Sequence, residues 1–97
     1  MVYVFAREDA PAGEPARLGI SVSKKVGGAT ERNRIKRVVR EQFAGIAAMV
    51  PAQTDVVVIA RPGCAEYLEE QGSETLGVRL RELVGRVTGV EGIAGAA

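Results

Sequence analysis

The stretch between positions 35 and 46 constrains the fold of this chain more than any other. Ile35, Val38, Val39, Gln42, Phe43 and Ile46 fall at i, i+3, i+4, i+7, i+8 and i+11, which places them along one side of an α-helix. A helix divided in this way has to lay its stripe on another element of the same chain. Thr30 is a candidate N-cap and Pro51 forbids continuation, so the pattern predicts a helix over 31–48. Ninety-seven residues are enough for one modest core, so 1–97 is expected to be a single domain and any function has to share that scaffold.

The partners for the stripe are short β-type runs. Val2, Tyr3, Val4 and Phe5 are β-branched or aromatic and predict a strand, and the two prolines and one glycine at 8–15 predict a loop. That loop is expected to be a hairpin connection to a second strand over 18–23, where Leu18, Ile20 and Val22 alternate with Gly19, Ser21 and Ser23. The continuous apolar run at 55–61 suits a strand covered on both faces. A second amphipathic helix is expected over 74–87, with Ser73 as its cap and Leu76, Leu80, Leu83, Val84 and Val87 buried; 64–70 can add a short helical turn before it. The Gly/Ala-rich stretch 89–97 has no periodicity and is expected to be a flexible tail beyond an ordered core of 1–88. The order of elements predicts an α+β fold.

Charge is distributed unevenly. The formal net charge is only +1, yet Arg17 to Arg40 holds eight bases and one acid, a charge of +7, and the remainder holds five bases and eleven acids, a charge of −6. A concentrated basic patch attracts polyphosphate whatever the far side of the molecule carries. The polar side of the 31–48 helix carries Asn33, Lys36, Arg37 and Arg40 at i, i+3, i+4 and i+7, with Arg32 and Arg34 flanking them. Guanidinium forks at this spacing can grip successive phosphates of a backbone, and an anionic partner relieves their mutual repulsion. A helix that is merely solvated more often mixes signs along its face.

Other classes are excluded or unsupported. No uncharged apolar run, 56–60 included, is long enough to span a bilayer, so no membrane partner is expected. Arg7 and two acids interrupt the start where a signal peptide needs an apolar run, and Cys64 is the only cysteine, so a cytoplasmic location is the default expectation. The chain has no histidine, no clustered carboxylates and no Cys-x-x-Cys, so no catalytic residue and no metal ligand is assigned. Cys64 has no base to activate it, and Asp55 has no neighbouring carboxylate.

These residues also resemble a known family. The run RLGISVSKKVGGATERNRIKRVVREQF at 17–43 carries a Lys25-Val26-Gly27 turn, an Arg32-Asn33-Arg34 motif opening a helix, and the pairs Lys36-Arg37 and Arg40-Glu41. This is similar to the signature of the bacterial ribonuclease P protein family, and the likeness extends from about Val2 to Val87, with Gly28 standing where the family commonly has asparagine. The resemblance implies a two-layer α/β sandwich, ribosomal-protein-like, with a mixed sheet and a left-handed βαβ crossover through the Arg-Asn-Arg helix. It implies that Lys24, Lys25, Arg32, Asn33, Arg34, Lys36, Arg37, Arg40 and Arg61 contact RNA. Phe5 is a candidate contact for the single-stranded 5′ leader of precursor tRNA, against the plainer reading of a core phenylalanine. The implied partners are the catalytic RNA and precursor tRNA, with no obligate protein partner evident, and the implied cofactor is Mg2+ held mainly by the RNA and the substrate. The RNA then carries out the endonucleolytic chemistry. Family members also begin with a basic helix and a short strand ahead of the position of Met1, neither of which this sequence contains. A structural RNA-binding or ribosome-assembly protein of the same fold is the alternative.

Overall fold

The computed structural model describes residues 2–6 and 11–95. Along the chain lie β1 (Val2–Ala6), β2 (Arg17–Val22), α1 (Ala29–Ala44), a 3-10 turn at Ala47–Met49, β3 (Thr54–Ala60) and α2 (Cys64–Thr88). The strands form one mixed sheet in the order β1-β3-β2, with β3 antiparallel to β1 and parallel to β2. The expected hairpin between the first two strands is therefore not formed, because β3 lies between them. Its apolar run gives it two usable ladders, whereas the proline-rich connection after β1 is too long for a tight turn. Arg7 and 8–10 of that connection lie outside the described residues, as do Met1 and 96–97. The loop remnant is fastened to the approach to β3 by the Gln53 N–H, which donates to the Glu14 carbonyl at 2.8 Å.

Register decides which side chains face the helices. Leu18, Ile20 and Val22 of β2 stand beside Val56, Val58 and Ala60 of β3, and Val4 of β1 stands opposite Val56. Val56 and Val58 are buried, and α1 lies over β2 while α2 lies over β1, so both helices cover this one face. The architecture is thus a two-layer α/β sandwich. The core is assembled from Ile35, Val38, Val39, Phe43 and Ile46 below the sheet, with Leu68, Leu80 and Val84 from α2. Burying a residue such as Ile35 in full contributes roughly 1.5–3 kcal/mol, and the helix stripe therefore fixes how α1 is rotated.

Several sequence-based expectations need correction. Helix α1 begins two residues early: the Arg32 N–H donates to the Gly28 carbonyl at 2.9 Å, Gly28 is the N-cap in extended conformation, and Thr30 lies inside the first turn. Gly28 has φ −72°, so its backbone makes no demand for glycine. The helix ends at Ala44, and a separate 3-10 turn follows. The two helical pieces expected after Pro62 run as α2 with a sharp break at Gly72, whose φ of 86° and ψ of 166° an L-residue adopts only with strain. Val87 is exposed. The expected tail instead turns back through Gly89 and Gly92, both at positive φ, and seats Ile93 in the core. Ile93 and Ala94 come to rest beside Gly85, so the apolar anchor outweighs the low order expected of a Gly/Ala-rich segment.

The one polar member of the helix stripe marks where the helices cross. Gln42 Oε1 accepts a hydrogen bond from Arg81 Nη1 at 3.0 Å, and a Cβ on Gly77 would run into the Gln42 side chain. Gly77 is buried, so this close approach sets the α1–α2 distance. A methyl group at Gly77 displaces the Gln42 side chain, so Gly77→Ala is expected to forgo the roughly 1 kcal/mol that a helical Gly→Ala change otherwise gains, and in the Gln42→Ala background it is expected to show that gain. Urea unfolding of the two single variants and the double variant reads this coupling; a gain as large in the parent as in the Gln42→Ala background would contradict the close crossing.

Candidate nucleic-acid interface

Because the stripe is pinned, the exposed side of α1 follows from helix geometry. At about 100° per residue from Ile35, Arg32, Lys36, Arg40, Asn33 and Arg37 fall at roughly 60°, 100°, 140°, 160° and 200°, a continuous flank. Arg34 falls at about 260°, between Glu41 at about 240° and Glu31 at about 320°. The six polar residues singled out on this helix therefore do not form one set. Five share a flank, and Arg34 points away toward α2, where its Nη1 lies 3.9 Å from Glu69 Oε2. The 3.6-residue period carried this division, but the tight clustering of cations in sequence obscures it.

The five differ in how free they are. Lys36 and Arg40 form no ion pair among the described residues, and Arg37 Nε stands 4.0 Å from Glu41 Oε1 in an exposed i,i+4 pair. An exposed pair of this kind contributes only ~0.3–0.5 kcal/mol, so a phosphate competes readily for Arg37. Arg32 is half-buried, and its Nε is closed off from water without a hydrogen-bond partner. Its position at about 60° from Ile35 is at the edge of the apolar stripe, where long cations cover core residues.

Parallel pairing of β2 and β3 brings the ends of both strands to one edge of the sheet, with Val22 opposite Ala60. The turn after β2 carries Lys24 and Lys25, both exposed and neither ion-paired among the described residues. It is closed by the Val26 N–H donating to the Ser23 carbonyl at 3.1 Å and anchored by the buried Val26. Exposed Arg61 follows β3 directly, and α1 starts from the same edge. Lys24, Lys25, Arg61 and the first turns of α1 thus converge, the arrangement expected where open α/β sheets bind ligands beyond the carboxyl ends of parallel strands.

The second surface is the side of the sheet away from the helices. Tyr3 and Phe5 of β1 stand opposite Val57 and Asp55 of β3, and Arg17 of β2 stands beside Asp55 on its other side. Tyr3 and Phe5 are 45% and 55% exposed, so Phe5 is not a core residue and its ring is open to stacking. Sequence reading missed the place of Arg17 on this face: its Nε and Nη2 donate to the two Asp55 carboxylate oxygens at 2.9 and 3.0 Å. That hydrogen bonding raises the Arg17 pKa above its usual value. Only the cross-strand register, which a single sequence does not reveal, brings the two together.

Two further features bear on chemistry. Glu31, Glu66, Glu69 and Glu70 line a cleft around Arg34, between α1 and the first half of α2. Among the described residues, no group of three or more His, Cys, Asp or Glu side chains is placed to hold a metal ion, and no helix is long and apolar enough to cross a membrane.

Comparison with known proteins bears on the family and the fold. A family profile described as Ribonuclease P matches residues 1–86. A ribonuclease P protein component of Bacillus cereus is 41% identical over 76 residues, and one of Bacillus anthracis is 40% identical over 76 residues. These matches take in 78% of this chain but only 64% and 61% of those proteins, so the chain spans less than two thirds of the curated relatives' length. Among solved structures, the RNase P protein from Thermotoga maritima superposes with TM-score 0.75 at 35% identity, covering 88% of this chain and 74% of that one. The Staphylococcus aureus RNase P protein gives 0.69 at 36% identity, with coverages of 92% and 73%.

Cys64 opens α2 half-buried, and burial pushes its thiol pKa up, with Glu66 adding to the shift. A group whose folded pKa is raised favours the protonated, folded form, and that contribution is lost as pH rises through the folded value. Alkylation by iodoacetamide at pH 8 is therefore expected to be several-fold slower in the native chain than in urea-unfolded chain. Equal rates would show that the thiol is neither shielded nor shifted.

Proposed function

Because the chain belongs to the ribonuclease P protein family, we propose that it acts as the protein subunit of that ribonucleoprotein, binding the catalytic RNA and assisting removal of the 5′ leader from precursor tRNA. The observation that carries this reading is the rigid cationic flank of α1, continuous with Lys24, Lys25 and Arg61 at the sheet edge. Lys36 and Arg40, which form no ion pair among the described residues, are held on this flank by the buried stripe behind them. An RNA backbone lying along this flank meets Lys36 and Arg40 one turn apart, about 6 Å along the axis, and Arg37 and Arg32 on either side. Release of condensed counterions from the RNA then supplies most of the affinity.

The open sheet face serves the second partner in this reading. Phe5 offers a stacking platform to a base of the single-stranded leader, and Tyr3 extends it. Such a contact is worth about 1–3 kcal/mol per base. The protein's contribution is to screen phosphate repulsion and secure the substrate. Hydrolysis of the phosphodiester, leaving a 5′-phosphate on the tRNA, is assigned to the RNA. Mg2+ belongs to the RNA and substrate in this account, and no step of the protein's own runs through it. The cytoplasm is the compartment proposed, where precursor tRNA is processed.

The test is reconstitution. Purified protein, labelled precursor tRNA and Mg2+ are incubated with and without transcribed ribonuclease P RNA, at a Mg2+ concentration where the RNA alone is slow. Cleavage is expected only with the RNA present, and at least tenfold faster with protein than without. Cleavage by the protein alone would overturn the division of labour, and no stimulation of the RNA would overturn the subunit assignment.

A further inference from the structure

Arg34 is the one cation of the Arg32-Asn33-Arg34 sequence that does not share the free flank of α1, and what holds it is unusual. Its partner Glu69 lies on the first half of α2, a segment bounded by Gly63 at φ 99° and Gly72 at φ 86°. Two left-handed glycines isolate this piece from β3 before it and from the rest of the helix after it. Between them only Leu68 is fully buried. One side of the segment faces the cleft around Arg34, and the other faces an apolar groove lined in part by Ile59, Tyr67, Leu76 and Leu80. The segment is therefore set off by a backbone break at each end, held to the core by Leu68 with Cys64 and Ala65 partly buried beside it, and bordered by open space on two sides.

The tie to Arg34 is correspondingly light. The 3.9 Å separation is long for an ion pair, and the side chains are 48% and 81% exposed. Such a contact competes poorly with a phosphate, which offers a guanidinium two charged oxygens in fork geometry. Yet Glu31, Glu66 and Glu70 line the same cleft and reinforce the negative field around Arg34.

We propose that Glu69 guards Arg34: in the free protein it occupies the guanidinium in place of RNA phosphate, and on binding its exposed side chain turns away and yields Arg34 to the phosphate. The proposal rests on the reading of α1 as the RNA-binding helix and extends it. Arg34 then serves an RNA whose backbone reaches past the free flank toward α2, and Glu69 sets how much that one contact adds to the affinity.

A double-mutant cycle on the full chain tests this, with transcribed ribonuclease P RNA as the probe at 100 mM monovalent salt. Glu69→Gln is expected to tighten binding about two- to fivefold, the range for an exposed pair. In the Arg34→Gln background the same change is expected to have no effect. Both positions are exposed, and melting temperatures check that all four proteins fold alike. An equal gain in both backgrounds would mean that Glu69 acts only through the general field, and the guard would be wrong. Arg40→Gln, measured alongside, separates the two failures. If it weakens binding while the cycle is additive, the guard alone fails. If it leaves binding unchanged, the RNA-binding reading of α1 fails and the guard with it.

Discussion

Everything in this molecule depends on one helix being used twice. The apolar stripe of α1 is buried against the sheet and α2, and this burial sets the rotation of the helix about its own axis. The cations on the far side have no means of aligning themselves, because their mutual repulsion favours spreading apart. They form a line because Ile35, Val38, Val39 and Phe43 are locked behind them. A change that loosens the stripe would disperse the charges as surely as it would weaken the core, which couples fold stability to the quality of the interface.

The sheet makes a second use of the same economy. Only three strands are present among the described residues, and the helices cover one face, so β3 has to bury Val56 and Val58 while its alternate residues look out on the other side. Parallel pairing with β2 delivers Lys24, Lys25 and Arg61 to the edge where α1 begins, and antiparallel pairing with β1 sets Phe5 opposite Asp55. A bidentate ion pair and two exposed rings on one sheet face give a surface that is neither core nor ordinary solvent-facing strand. Acidic residues on α2 confine the positive field to one flank of the molecule, which explains how a chain of net charge +1 can present a strongly basic surface.

Local pattern made much of this legible. The period of α1, the alternation in β2 and the motif at 32–34 identify the elements and the basic surface, because each is written within a few consecutive residues. Long-range pairing is not written that way. Nothing in Val2–Ala6 says that its neighbour is β3 and not β2, and Arg17 and Asp55 meet only once the parallel register exists. Gln42 reads as a polar break in an apolar stripe until Gly77 and Arg81 are brought against it. Ile93 looks like a stray apolar residue in a tail, and its burial depends on two glycines turning the backbone back. Arg34 is the instructive intermediate case, since the helical period separates it from its neighbours while the sequence motif groups it with them.

The central claim is that the flank bearing Lys36, Arg37 and Arg40 binds RNA by phosphate contacts. The salt dependence of affinity for ribonuclease P RNA, compared between the parent chain and the Lys36→Gln, Arg37→Gln, Arg40→Gln triple variant, tests it most directly. Each lost contact should reduce the log–log slope by about 0.7–0.9, so the triple variant should lose roughly 2–3 from the slope with its fold intact. A correctly folded triple variant with the slope and affinity of the parent would contradict the account.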